Sequence, residues 1–199
     1  ELGTKWDVLN NRLNLTAAIF RTEKTNTRAL GTDGFTRNIG ETRVDGIELA
    51  AVGQLTNFWQ VTASIGFMDS EQLDQSSKNS TTGVITTSDG VRWTPDVTAS
   101  LWTSYTLDKL TIGGGARYMG EQKRVVTSNV NLATENMPVM PAYTVVDIMA
   151  AYKVSRNTNL RLNVYNVFDE EYINTLNNSG ARMTLGAPIS AAISAEFSF

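Results

Sequence analysis

The chain has 199 residues and carries 17 Lys and Arg against 20 Asp and Glu, so its formal net charge is −3. Without a basic excess, nucleic acid is not expected as a partner, and no apolar run approaches the roughly 18 residues that a membrane-spanning helix needs. The chain has no cysteine and no histidine, which excludes thiol catalysis and removes the commonest general base and transition-metal ligand.

Apolar and polar residues alternate with a period of two along most of the chain, which predicts about nine strands. In chain order we expect these strands at 2–9, 12–22, 41–54, 59–70, 96–107, 110–120, 142–154, 159–167 and 189–199. Short turns at 10–11, 55–58, 108–109 and 155–157 alternate with long polar stretches at 23–40, 71–90, 121–141 and 168–187, which we interpret as loops.

The last predicted strand shows the pattern most clearly. Its apolar row ends on Phe197 and Phe199, and its opposite row is small and polar, including Ser190, Ser194 and Ser198. A strand that is apolar outside, polar inside and closed by an aromatic residue is typical of a transmembrane β-barrel. We therefore interpret Phe197 and Phe199 as a C-terminal assembly signal read by the barrel-assembly machinery.

The connection lengths favour the same fold, because outer-membrane barrels have short periplasmic turns and long extracellular loops. The prediction is an all-β protein: a transmembrane antiparallel barrel, closed because lipid cannot satisfy an open sheet edge. The chain starts without Met and without a signal peptide, so we expect residues 1–199 to be a C-terminal portion of a larger barrel. A soluble β-sandwich or β-propeller is the alternative fold.

Several phrases, in this order and at this spacing, resemble the barrel of TonB-dependent siderophore receptors, in the style of receptors for ferric catecholates. They are Glu1–Trp6, Leu13–Phe20, Val44–Leu49, Arg92–Pro95, Gly113–Tyr118, Tyr143–Asp147 and Leu162–Tyr172. The resemblance implies a bacterial outer-membrane protein with a barrel of roughly 22 strands. It also implies an upstream plug domain and TonB box, and energy from TonB with its inner-membrane complex. The cargo would be a ferric siderophore, with no covalent cofactor, metal site or catalytic residue, and outer-membrane lipid would surround the barrel.

The resemblance suggests where such a ligand would bind. A ferric tris-catecholate is an anion with planar arms, so arginine and aromatic side chains could bind it through charge and stacking. Candidates near the outer rim and lumen are Arg37, Arg43, Arg92, Trp93, Arg117, Lys123 and Arg124. The inward rows should also carry Glu48, Asp147, Lys153 and Arg161, which would pair with each other or with a plug.

Two other motifs have structural interpretations. The Gly113–Gly115 run lacks the Lys-Ser/Thr of a phosphate loop, and small residues that ease the approach of a plug explain it better. The acidic phrase Asn166–Tyr172 lacks the spacing of a calcium loop, so we expect a structural turn.

Other functions stay open at this point. The receptor could serve another cargo, such as haem, a vitamin or a sugar, or the chain could belong to an ungated porin or an adhesin. An outer-membrane lipase or protease is disfavoured because the chain lacks histidine and a Lys-Ser signature. The sequence does not name the siderophore.

Overall fold

The computed structural model describes residues 1–30, 35–73, 76–78, 85–87, 90–124, 139–177 and 180–198. These residues are organised as strands and turns. The strands are β1 (Leu2–Val8), β2 (Leu13–Leu30), β3 (Thr36–Gln54), β4 (Trp59–Leu73), β5 (Ser76–Lys78), β6 (Ile85–Thr87), β7 (Val97–Leu107), β8 (Leu110–Met119), β9 (Gln122–Lys123), β10 (Val139–Met140), β11 (Tyr143–Lys153), β12 (Thr158–Tyr165), β13 (Ile173–Leu176), β14 (Met183–Leu185) and β15 (Ser190–Phe197). No helix long and apolar enough to cross a membrane occurs in these ranges.

Within the described ranges, nine strands form one antiparallel wall in the order β1, β2, β3, β4, β7, β8, β11, β12 and β15. Each strand pairs with the next long strand in sequence, and the hairpin β5–β6 extends the far end of β2. The wall is open, with β1 and β15 at its edges. The predicted all-β fold of about nine consecutive antiparallel strands is confirmed.

Short turns join the strands at one end of this wall, where the chain reverses in very few residues. Asn10 and Asn11 have φ of 58° and 61°, and Asp108 has φ of 51°. Asn and Asp tolerate this left-handed conformation better than other non-glycine residues, which is why they occur in tight hairpin turns. The predicted short turns are confirmed, and the long connections all lie at the opposite end.

The register divides the wall into two chemically different faces. One row across four strands is Ile19, Ile47, Phe67 and Val97. Rows nearer the short turns on this face carry Leu101, Tyr105, Ile112, Ile148, Tyr152, Leu160, Leu162, Ile193 and Phe197, all at least 37% exposed. An apolar face this continuous and this exposed is the pattern of a lipid-facing barrel surface.

The opposite face is mostly small and polar, with the rings of Phe20 and Trp102 as exceptions. It carries Glu48, Arg117, Asp147, Lys153 and Arg161, so the register confirms the predicted inward row. Hydroxyl pairs cross between neighbouring strands there: Ser64 and Ser100 lie 2.8 Å apart, and Thr106 and Thr111 lie 3.0 Å apart. We call this the inward face.

The interpretation of residues 23–40 as a loop was wrong. β2 continues to Leu30 and β3 begins at Thr36, and they stay paired through a bulge near Thr27. Both faces are mostly polar in this part of the hairpin, with Ala29 and Ile39 as isolated apolar residues, so the period-two signal disappears although the backbone ladder continues. The other three polar stretches also contain short strands, namely β5 and β6, β9 and β10, and β13 and β14.

Two glycines make room for aromatic rings on the inward face. A Cβ at Gly46 would collide with the ring of Phe20 on the neighbouring strand. A Cβ at Gly115 would lie 2.7 Å from Cε3 of Trp102 and would also collide with the Leu101 carbonyl. These rings account for both glycines within the wall, whereas the role of Gly113–Gly115 toward a plug stays a prediction.

Candidate functional site

The candidate binding residues belong to the end of the wall with the long connections. The backbone N–H of Trp93 donates to the carbonyl of Lys123 at 2.8 Å, which joins the segment before β7 to the segment after β8. Trp93 sits in the left-handed region, with φ of 58°. This contact brings the backbone of Arg92 and Trp93 next to that of Lys123 and Arg124, and we call these four of the seven predicted residues the rim cluster.

The rim cluster carries three cationic side chains and one indole. Lys123 is half exposed and lies 3.4 Å from a carboxylate oxygen of Glu121. The indole Nε1 of Trp93 is buried and makes no hydrogen bond within the described ranges. Such a combination of guanidinium, ammonium and indole groups could bind an anionic aromatic ligand through charge, hydrogen bonds and stacking.

Two more of the predicted binding residues, Arg37 and Arg43, lie on β3 and have other surroundings. The Arg37 guanidinium lies 5.6 Å from the ring centroid of Phe35, a cation–π contact. Arg43 pairs with Glu71 and lies 3.5 Å from Asp45. The register puts Arg43 in line with Ile47 on the outward face, so it does not join the rim cluster.

Arg117 lies apart from the rim cluster, further down the inward face. Its Nη2 is 3.5 Å from Oδ2 of Asp147, a long ion pair, and its side chain is 61% exposed. The Asp147 side chain is more buried than that of Arg117, and its Oδ1 accepts a hydrogen bond of 2.8 Å from the backbone N–H of Asn166. Within the described part of the chain, Asp147 is the one side chain that pairs with Arg117, so most of its donors can bind a ligand or another part of the protein in the lumen.

Asn166 is the centre of a hydrogen-bonded knot at the start of the last long connection. The residue is 3% exposed. The amide donates to the carbonyls of Glu170 at 2.9 Å and Ala187 at 3.0 Å, and its oxygen accepts from the Glu170 N–H at 2.9 Å. Asp169 accepts from the Ile189 N–H at 2.8 Å, so the knot joins both ends of the connection.

Aromatic packing holds the same connection against the wall. The rings of Tyr143 and Tyr172 stack with centroids 4.3 Å apart, and Gly186 leaves room for the Tyr172 ring. The structural turn predicted at Asn166–Tyr172 is confirmed. Its partners Tyr143, Gly186 and Ala187 are distant in sequence, and no local pattern indicated them.

Two further predictions concern the C-terminal aromatic residues and metal binding. Phe197 pairs with Thr158 near the short-turn end and is 60% exposed on the apolar face, while Phe199 lies outside the described residues. Within the described ranges, no group of three or more acidic residues is arranged to hold a metal ion.

Residues 1–167 match the family model described as TonB dependent receptor-like, beta-barrel. The chain is 40% identical over 178 residues to the probable TonB-dependent siderophore receptor PiuA of Acinetobacter baumannii, which covers 86% of this chain and 23% of that protein. It is 34% identical over 204 residues to the catecholate siderophore receptor Fiu of Escherichia coli K12, which covers 100% of this chain and 25% of that protein. The chain thus spans about a quarter of the length of these curated relatives.

Solved structures agree with the sequence comparisons. The closed form of the ferric-catecholate import receptor Fiu from E. coli superposes with a TM-score of 0.84 at 34% identity, over 99% of this chain and 27% of that one. The siderophore receptor PiuA from A. baumannii superposes with a TM-score of 0.79 at 35% identity, over 98% of this chain and 27% of that one. The open wall of nine strands therefore has the fold of a part of these barrels.

Proposed function

This chain belongs to the family of TonB-dependent receptor β-barrels, and we propose that it forms the C-terminal part of an outer-membrane receptor that imports ferric siderophores. The observation that carries the proposal is the 40% identity to a siderophore receptor over 86% of the chain. Catecholates are the cargo class we favour, because Fiu matches the whole chain at 34% identity and its closed form superposes at a TM-score of 0.84.

The two faces of the wall suit this role. An exposed apolar face fits the hydrocarbon of the bilayer, and a polar inward face fits a lumen that contains water or a plug. In the proposed mechanism the long connections capture the chelate on the extracellular side. TonB then rearranges a plug from the periplasm, and the cargo is released inward without covalent chemistry.

The proposal includes parts of the protein beyond this chain. A closed barrel of roughly 22 strands needs partners for both edges of the wall, β1 and β15. Because this chain is about a quarter of its relatives' length, we expect the native polypeptide to have a mass of roughly four times 21.8 kDa. A native mass near 21.8 kDa in outer membranes of iron-starved cells would contradict the receptor assignment.

We propose the rim cluster as a part of the siderophore site, and Arg117 and Arg37 as further contacts. Removing one guanidinium that donates to an anionic ligand should cost about 1.5–3 kcal/mol, or roughly 10- to 150-fold in Kd. The test is titration of the purified full-length receptor with ferric catecholate siderophore, followed by quenching of tryptophan fluorescence. Arg92→Ala and Arg124→Ala should weaken binding.

The matched control is Arg156→Ala, because Arg156 is an exposed arginine in the short turn between β11 and β12 at the opposite end. Arg156→Ala should leave the Kd unchanged. If both rim variants also bind like the native receptor, the rim cluster is not the site. If the native receptor binds a hydroxamate or haem instead of the catecholate, the cargo class is wrong and the family assignment is unaffected.

A further inference from the structure

Arg117 and Asp147 form a loose ion pair on the inward face. The register places Arg117 two residues before the end of β8, opposite Val145, and Asp147 lies two residues nearer the short turns on β11. The Nη2 of Arg117 and the Oδ2 of Asp147 are 3.5 Å apart. A strong charged hydrogen bond is shorter, about 2.7–2.9 Å, so this pair is readily exchanged for another.

The two partners differ in how firmly they are held. The Asp147 side chain is 20% exposed, whereas that of Arg117 is 61% exposed. Oδ1 of Asp147 also accepts a hydrogen bond of 2.8 Å from the backbone N–H of Asn166, the centre of the buried knot. Asp147 is therefore anchored whether or not Arg117 pairs with it, and Arg117 can turn to another anion without leaving this carboxylate bare.

An exposed aromatic ring lies beside the pair. The register puts Trp102, Gly115 and Asp147 in one row across β7, β8 and β11. Gly115 has no side chain, and the Trp102 ring occupies the space where its Cβ would be. Trp102 is 37% exposed. A guanidinium and an indole on neighbouring strands of one face suit an anion with planar arms, through charge and stacking.

The surrounding charges leave Asp147 as the direct competitor of such an anion. Residues 169–171 are acidic and line a separate cavity next to Tyr172, and Arg117 is not among the described residues that line it. Lys123 of the rim cluster is six residues further along the chain from Arg117, or roughly 20 Å if the segment is extended. Among the described side chains, Asp147 is thus the carboxylate that pairs with Arg117.

We propose that Asp147 is an exchangeable counter-ion, a positioning residue that holds the Arg117 guanidinium until an anionic oxygen of the cargo takes its place. This inference rests on the proposed function, because the cargo is taken to be an anionic iron chelate. After the exchange Asp147 stays bound to Asn166, close enough to compete for the guanidinium. The competition keeps the cargo contact weak, so the cargo is released from Arg117 rather than retained.

Removing only the charge of Asp147 should therefore tighten binding. Asp147→Asn keeps an oxygen that can accept from the Asn166 N–H, but it forms no ion pair with Arg117 and repels no anion. We expect the full-length receptor, titrated with ferric tris-catecholate and followed by tryptophan fluorescence, to show a Kd about three- to tenfold lower. The gain should come mostly from slower dissociation, measured by stopped flow. A purely structural role of Asp147 would weaken binding instead.

Two controls isolate the action through Arg117. Asp7 also faces inward and accepts a hydrogen bond of 3.0 Å from the Asn14 amide, but it lies near the short turns. Asp7→Asn makes the same change in net charge and should leave the Kd unchanged. Arg117→Ala should itself bind at least about tenfold more weakly, and adding Asp147→Asn to that variant should have no further effect.

A second pair of variants tests the same idea without touching the knot. Ser100 lies directly opposite Arg117 on β7. Ser100→Asp adds a second competing carboxylate and should raise the Kd several-fold, whereas Ser100→Asn has nearly the same shape without the charge. Both variants lose the hydroxyl that lies 2.8 Å from that of Ser64, so the comparison isolates the charge. If Asp147→Asn folds poorly, this pair decides.

The outcomes separate this inference from the transport assignment. An unchanged Kd in a well-folded Asp147→Asn receptor, or equal Kd values for Ser100→Asp and Ser100→Asn, would overturn the counter-ion role and leave siderophore uptake intact. Tightening that persists without Arg117 would show that Asp147 does not act through it. A native receptor that binds no ferric tris-catecholate would overturn this inference together with the proposed cargo.

Discussion

Replacing Asn166 should destabilise the barrel more than any other single polar substitution that we have considered. The side chain makes three hydrogen bonds between 2.9 and 3.0 Å, and the residue is 3% exposed. Asn166→Ala leaves the carbonyls of Glu170 and Ala187 and the N–H of Glu170 without these partners. Each buried unsatisfied group costs about 1–3 kcal/mol, although local relaxation and water entry reduce the sum.

The backbone adds a second contribution. Asn166 has φ of 51°, and this left-handed conformation costs alanine about 1–2 kcal/mol. Glycine adopts the same conformation without that penalty but also makes no side-chain hydrogen bonds. We therefore expect a loss of about 3–5 kcal/mol for Asn166→Ala and about 1 kcal/mol less for Asn166→Gly.

The assay is equilibrium unfolding of the full-length receptor in lipid vesicles by guanidinium chloride, followed by tryptophan fluorescence. The matched control is Asn157→Ala, because Asn157 also donates its side-chain amide to a carbonyl, that of Ser198 at 2.8 Å, but at an exposed site. The control should lose no more than about 1 kcal/mol. A loss below about 1 kcal/mol in Asn166→Ala would refute the central role that we assign to the knot.

Three further predictions follow from the wall. Gly115→Ala should lower the free energy of unfolding by about 1–3 kcal/mol in the same assay, because the added Cβ collides with the strand of Trp102. Gly114→Ala is the control and should lose less, because the nearest atoms to its added Cβ are 3.3 Å away. Equal losses would contradict this explanation. Phe197→Ala should slow the appearance of heat-resistant folded receptor in cells, and an unchanged rate would remove its role in assembly. The isolated 199-residue chain should aggregate on refolding, because both edges of the wall expose unpaired backbone groups, and a folded soluble monomer would contradict a barrel fragment.

The period of two made most of the wall predictable from the sequence. One face contacts hydrocarbon and the other contacts water, so the alternation of apolar and polar residues along a strand such as β15 shows which side chains point outward. The same reasoning failed for 23–40, where both faces of the hairpin β2–β3 are polar. Above the hydrocarbon a paired strand has no apolar face to mark it, and its sequence resembles a loop.

The candidate site was predictable only in part. The chemistry of their side chains indicates Arg92, Trp93, Lys123 and Arg124 as candidates, and the backbone hydrogen bond between Trp93 and Lys123 places their two segments side by side. Arg43 has the same chemistry but lies on the outward face in line with Ile47, and the period of two within the predicted strand 41–54 already indicated that face. The partners of Asn166 depend on tertiary contacts across some twenty residues, and local sequence patterns do not encode such contacts.

Iron uptake by living cells tests the central claim most directly. Cells that carry the complete receptor gene are supplied with radiolabelled iron as a ferric catecholate siderophore, and uptake is compared with cells that lack the receptor and with cells that lack TonB. We expect uptake to require both proteins. Uptake that is unaffected by loss of the receptor, or receptor-dependent uptake that continues without TonB, would contradict an energy-coupled siderophore receptor.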